Sequence, residues 1–416
     1  MRENSQTQAY HQLQWRLLRR RWPFLGIFLG LLLLLWFGLA QQQRQQRQYV
    51  QAYQQHLVKN SQRFTKLFGT DSEETLGFQL ERQALKQPRR YQRQYLNSLV
   101  RTFGTAAQVA QLPQQVPFAA VIPGNRQDGS IFYKAQEVDL TIRELSLVQR
   151  QGLTPFYPAR ILNHETTKQN FLGTEAQYQQ YGPRFGRRFY TNGWYYLQYQ
   201  LRQPLAIALV VSCLLLFSLD FPSSLRKKAA GSHWLQLQQL SPRYQYFSNF
   251  AVKAVAALVT LALFFAGFMV GSLLFGAPGS LGYPILVWQT AKRFSFMPLW
   301  QNVLLKFGWL YLLTLCAFAL AQLVALVSHS GLLSFFGTSL ICVLSLVLPA
   351  VWWSPLSYFN LNGAADRYLS VTMGQGSPLL TTLVLLGWLA LLLGAGALVL
   401  WWPTRARRVV SADLQA

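Results

Sequence analysis

The chain has 416 residues, of which 51% are hydrophobic and only 12% charged, and its formal net charge is +24. A soluble globular protein carries about 25% charged residues, so a low charge fraction joined to long apolar runs points to a membrane protein. The basic balance does not indicate nucleic acid, because no zinc-finger spacing, RNP motif or compact basic helix accompanies it; basic residues facing anionic lipid and a negative cytoplasmic leaflet account for it.

A helix needs roughly 20 apolar residues to cross about 30 Å of hydrocarbon. Six runs qualify: 22–40, 204–219, 254–275, 307–327, 331–353 and 379–402. The first follows a long basic leader and exceeds a usual signal-peptide core, so it reads as an uncleaved anchor. After it, "QQQRQQRQYVQAYQQHLVKNSQRFTKLF" contains good helix formers and no Gly or Pro before Gly69, which predicts that the first span continues outward as a helix. Asp71 and Ser72 are candidate caps of a further helix. Asp128-Gly129 lies between apolar runs and suggests a hairpin. The second span is short and begins earlier, in "GWYYLQYQLRQ", where Trp194, Tyr195, Tyr196 and Tyr199 suggest an interfacial aromatic belt.

Positive residues beside short loops orient the chain. Arg16, Arg19, Arg20 and Arg21 precede span 1; Arg226, Lys227, Lys228, Arg243 and Lys253 lie between spans 2 and 3; Arg405, Arg407 and Arg408 follow span 6. With six spans these all fall on one side, so both termini are expected in the cytoplasm. Lys292, Arg293 and Arg367 fall outside, against the trend. The expected fold is an all-α polytopic membrane protein, six transmembrane helices with a large, mainly helical extracellular domain over 41–203 between the first two. Being long, that domain translocates whatever its charge.

Catalytic chemistry is not legible. There is no P-loop, H-E-x-x-H or G-x-S-x-G motif. "GAPGSLG" over 276–282 lacks a Lys-Ser/Thr ending and reads as a loop. The five histidines are scattered, and Cys213, Cys316 and Cys342 each sit inside an apolar run, so neither a metal site nor a disulfide framework is expected. After Asp220 only Asp366 and Asp413 remain as acids. Ion-coupled carriers keep Asp, Glu or His within their spans; here the span centres lack them, and Lys253 and Lys306 lie near span ends, where they can snorkel. Energy for any transport must then come from elsewhere.

Residues 229–253, "AAGSHWLQLQQLSPRYQYFSNFAVK", are longer than a plain connection needs. Trp234, Leu237 and Leu240 recur at i, i+3 and i+6 among glutamines, an amphipathic pattern for a membrane surface or a partner's groove. Ser241 then caps, and Pro242 opens, a new helix that re-enters the membrane.

An acid at the end of span 2 (Asp220), Gly231-Ser232, Leu237-Gln238, Leu240-Ser241-Pro242-Arg243, Tyr246-Phe247 and Lys253, in that order, resemble the ABC-2 type permeases of ABC exporters. "TNGWYYLQYQL", "GYPI" (Gly282–Ile285) and "PLSYFNL" (Pro355–Leu361) are similar to that family's segments around spans 2, 3 and 5. The resemblance covers about residues 16–408 and is weakest in the outer domain. It implies a membrane-spanning permease subunit, without its own catalysis, metal or cofactor, that pairs with a second permease in a homodimer or heterodimer. Separate ABC ATPase subunits carrying ATP-Mg would dock from the cytoplasm. Residues 220–253 would hold the coupling helix, with Trp234, Leu237, Leu240 and Arg243 in contact with the ATPase. Residues 1–21 would form an amphipathic elbow bearing Trp15, Arg16, Arg19 and Arg20. Residues 403–416 would be a cytoplasmic tail, and the location the plasma membrane of a bacterium. One departure stands out: where many members carry a Glu after the span 2 acid, this chain has Arg226, Lys227 and Lys228. An alternative from another class is a membrane-anchored sensor or immunity protein whose outer domain binds a ligand.

Overall fold

The computed structural model describes residues 25–70, 115–117, 132–153, 189–218, 241–276, 278–289, 294–366 and 377–413, with scattered residues between 79 and 101. The described chain is mostly helical. Four helices are long and apolar enough to cross a membrane: 25–52, 243–272, 299–328 and 378–401. They belong to α1 (Leu25–Phe68), α5 (Pro242–Ser272), α6 (Leu299–Ser328) and α9 (Pro378–Asp413).

The other two expected spans depart from single straight helices, and proline explains both. The second comprises α3 (Gly193–Gln200) and α4 (Gln203–Phe217), bent by 83°. In a continuous helix Pro204 would lack its N–H bond and press its ring on the Gln200 carbonyl. The chain instead extends at Arg202 (φ −86°, ψ 169°) and restarts. Counting this pair as one span raises the total to five. The expected fifth span, 331–353, yields only the 14 residues of α7 (Gly331–Leu344), about 21 Å of helix and short of a full crossing. After Leu344 the chain tightens into i→i+3 turns (Leu346 N–H to Val343, Val347 N–H to Leu344), and Pro349, which has no N–H to return to Ser345, prevents the helix from resuming. The chain then turns through a 3₁₀ segment (Pro355–Phe359) and the short α8 (Leu361–Ala365).

Two local signals act as the sequence predicts. α1 runs unbroken for 44 residues and stops at Gly69, whose φ of +86° suits glycine. At α5, Pro242 holds the first turn and the Ser241 hydroxyl accepts the Tyr244 N–H at 3.2 Å.

The chain divides into two compact units. The first comprises Met1–Trp36, Leu197–Leu274 and Ile285–Ala416. Its hub is α6, 67% of whose most apolar stretch is buried, against 17% in α1 and 11% in α9. α4, α7 and α9 pack against α6. Phe318 meets Phe217 edge-on at 5.9 Å, and Phe307 meets Phe265 of α5 at 5.3 Å. α1 approaches α5 closely because Gly271 carries no side chain: a Cβ there would fall 2.2 Å from the Trp36 ring. The Trp36 indole donates to the Phe268 carbonyl at 3.3 Å. A two-stranded sheet of β3 (Pro284–Trp288) and β4 (Phe294–Pro298) leads into α6.

The second unit comprises Phe37–Tyr196 and Phe275–Pro284. It holds an antiparallel pair, β1 (Gln115–Pro117) and β2 (Phe132–Lys134), followed by α2 (Ala135–Arg150). Val116 pairs with Tyr133 and Pro117 with Phe132, a register that a two-residue turn at Asp128-Gly129 would not impose. Tyr195 and Tyr196 are buried, so the expected interfacial belt is instead largely internal packing. Tyr195 accepts the Ser280 N–H at 3.2 Å and stacks edge-on with Tyr283 at 5.0 Å. Tyr283 donates to the buried Glu144 carboxylate at 2.5 Å. Gln43 donates to the carbonyls of Thr191 and Phe275, fastening the 275–284 loop to α1.

Candidate functional site

The residues expected to meet an ATPase lie mostly outside the described residues: Trp234, Leu237 and Leu240, and the elbow residues Trp15, Arg16, Arg19 and Arg20. Asp71, Ser72, Asp128 and Gly129 lie outside them as well. Arg243 is described. It is exposed on the second residue of α5. A cation there gains nothing from the helix dipole, whose N-terminus is positive, so α5 stability does not account for an arginine at this position.

The most developed polar site in the described chain lies elsewhere, in the first unit. Asn302 and Lys306 stand one turn apart on α6, and both are fully buried. They occupy the same buried stripe as Leu310 and Leu313. A lysine in that stripe cannot snorkel along the helix surface, so the expectation for Lys306 is corrected: its ammonium turns into the protein. It donates to the Asn362 side-chain oxygen at 2.5 Å and to the Gln198 carbonyl at 3.4 Å. Asn362, on α8, in turn donates to the Tyr199 carbonyl at 3.2 Å. Two carbonyls from the last turn of α3 therefore receive donors from α6 and α8. Those carbonyls lose their place in a continuous helical ladder when the helix breaks before Pro204.

Asp366 ends α8. Its Oδ1 accepts from Asn302 Nδ2 at 3.0 Å, and its backbone carbonyl accepts the Trp288 N–H at 2.9 Å. Burial pushes its carboxyl above the usual range, while the charge of Lys306, the Asn302 hydrogen bond and the charge of Arg202 pull it back. Arg202 lies in the α3–α4 break, with its guanidinium 3.8 Å from the centre of the Tyr199 ring. Asn302 Oδ1 is buried without a hydrogen-bond partner.

This site joins one carboxylate, two cations, two amides and two main-chain carbonyls at a break in an apolar helix. Such a set can fix a helix break, hold a polar ligand or exclude a competing ion. It contains no nucleophile–base pair. Among the described residues no group of three or more His, Cys, Asp or Glu side chains could hold a metal ion. The sequence offers one pointer to it: Asp366 is the single acid between Asp220 and Asp413. Compared with protein families, curated proteins and solved structures, the chain matches none.

Proposed function

We propose that the chain is the membrane-spanning permease subunit of an ATP-driven exporter, paired with a second permease and energised by separate ABC ATPase subunits bound to its cytoplasmic face. In this reading the chain passes the membrane six times, with a bent second passage and an incomplete fifth helix. Both termini are cytoplasmic, and 41–203 is an external, mainly helical domain.

The observation that carries the proposal is the start of α5. Ser241 caps it, Pro242 opens it, and the helix then continues without a break for 31 residues to Ser272. A push on the amphipathic stretch just before Ser241 would act on one stiff rod that runs into the apolar bundle, which is what a coupling helix requires. Further support comes from the other resembling segments. Tyr283 of "GYPI" is buried, and so are Tyr358, Phe359 and Leu361 of "PLSYFNL".

The test replaces Leu237 and Leu240 together by aspartate. Two charges in a docked apolar groove are costly without partners, so the ATPase complex and transport are lost while the chain still inserts in the membrane. Retention of both by the Leu237→Asp, Leu240→Asp variant overturns the coupling role.

A further inference from the structure

The α3–α4 break raises a question that the export reading does not answer. Helix C-termini carry partial negative charge from their unbonded carbonyls. In carriers with discontinuous spans, such carbonyls and half-helix ends hold the coupling Na⁺ or H⁺. Here the α3 carbonyl of Gln198 and the Asn362 amide oxygen meet on the Lys306 ammonium, Asn362 also reaches the Tyr199 carbonyl, and Asn302, whose Oδ1 is unpartnered, holds Asp366. This is an oxygen-rich set, the chemistry that replaces the hydration shell of a monovalent cation.

We propose that this cluster is a monovalent-cation site whose cation is built into the chain, the ammonium of Lys306, and that its vacated form would accept a small alkylammonium or alkali ion. Lys306 is fully buried and bonds neutral oxygens on α3 and α8. Asn302, one turn before it, holds Asp366 beside the same site. A cation on a covalent tether cannot be released and rebound. The break is therefore set permanently, and this site cannot serve as an ion-coupling step. Lys306 does this whether or not an ATPase docks on the chain, so the proposal stands or falls separately from the export reading.

The test uses the purified full chain and its unfolding temperature in choline, sodium, potassium or methylammonium chloride at equal concentration. The wild type should give the same Tm in all four salts. Lys306→Ala, which removes the ammonium and leaves its space, should fall in choline and recover saturably with methylammonium, with smaller recovery in potassium or sodium. A Lys306→Ala Tm equal to wild type in choline, or lowered equally in all four salts, overturns the proposal. Should Lys306→Ala fail to accumulate, Lys306→Met decides, because it keeps the volume and removes the charge. A Tm below wild type in every salt supports a required cation, and a Tm at or above wild type rejects it.

Discussion

The two halves of α6 treat buried polarity in opposite ways. In its first half, Asn302 and Lys306 are fully buried yet tied to Asn362, Asp366 and the end of α3, with Asn302 Oδ1 alone left unpartnered. In its second half, Gln322 is 2% exposed, and neither its amide nitrogen nor its amide oxygen has a hydrogen-bond partner. The charged residue is the better satisfied of the two. A buried amide without partners costs about 1–3 kcal/mol, so polarity near Lys306 is structural, whereas polarity at Gln322 serves nothing within the described chain. The difference separates a part of α6 built to stay fixed from a part with unused polar capacity.

The strongest way to break this comparison is Lys306→Met. Removing the cation takes a donor from the Gln198 carbonyl and the Asn362 amide oxygen, and removes one of the two positive charges that act on Asp366. Losing one partner of a buried ionic network costs about 3 kcal/mol or more, read as a large drop in unfolding temperature. A neutral result would place Lys306 on the same footing as Gln322. The reverse change is Gln322→Leu. It removes two unmet hydrogen-bonding atoms and should stabilise the chain by about 1 kcal/mol. If the amide serves a polar cargo, the same variant loses transport while it gains stability; loss of stability instead would show that Gln322 has a partner.

Asp366 gives the smallest effect. Burial raises its pKa above the ordinary 3.8 despite Lys306, Asn302 and Arg202, so the fold favours the protonated form. Its stabilising contribution is present below the ordinary carboxylate pKa and is lost as pH rises through the elevated value. Asp366→Asn, which cannot ionise, should lose this pH dependence. The stability of wild type relative to this variant should fall as pH rises across that acid window. A difference that instead grows with pH would mean that the ionised Asp366–Lys306 attraction outweighs burial.

Local signals in the sequence were legible because their physics is local. Ser241-Pro242 marks the start of α5, and the absence of Gly or Pro before Gly69 carries α1 well past its apolar part. Pro204 and Pro349 were equally local signals, but average apolarity across 204–219 and 331–353 hides them, and so the α3–α4 bend and the end of α7 at Leu344 emerge only in the structure. The Lys306 site was illegible for a different reason. Its members come from positions 198–202, 302–306 and 362–366, and only tertiary packing brings them together. Read alone, Lys306 sits close enough to a helix end to suggest snorkelling; what decides its direction is the burial of the face it shares with Leu310 and Leu313.

The central claim is that the chain works with a separate ATPase, and purification from its native membrane tests it most directly. The account predicts that the tagged chain retains a P-loop ATPase in fixed stoichiometry, that the complex hydrolyses ATP, and that the stripped chain alone does not. ATP hydrolysis by the isolated chain, or a chain that transports its cargo in vesicles with no ATPase present, would contradict it.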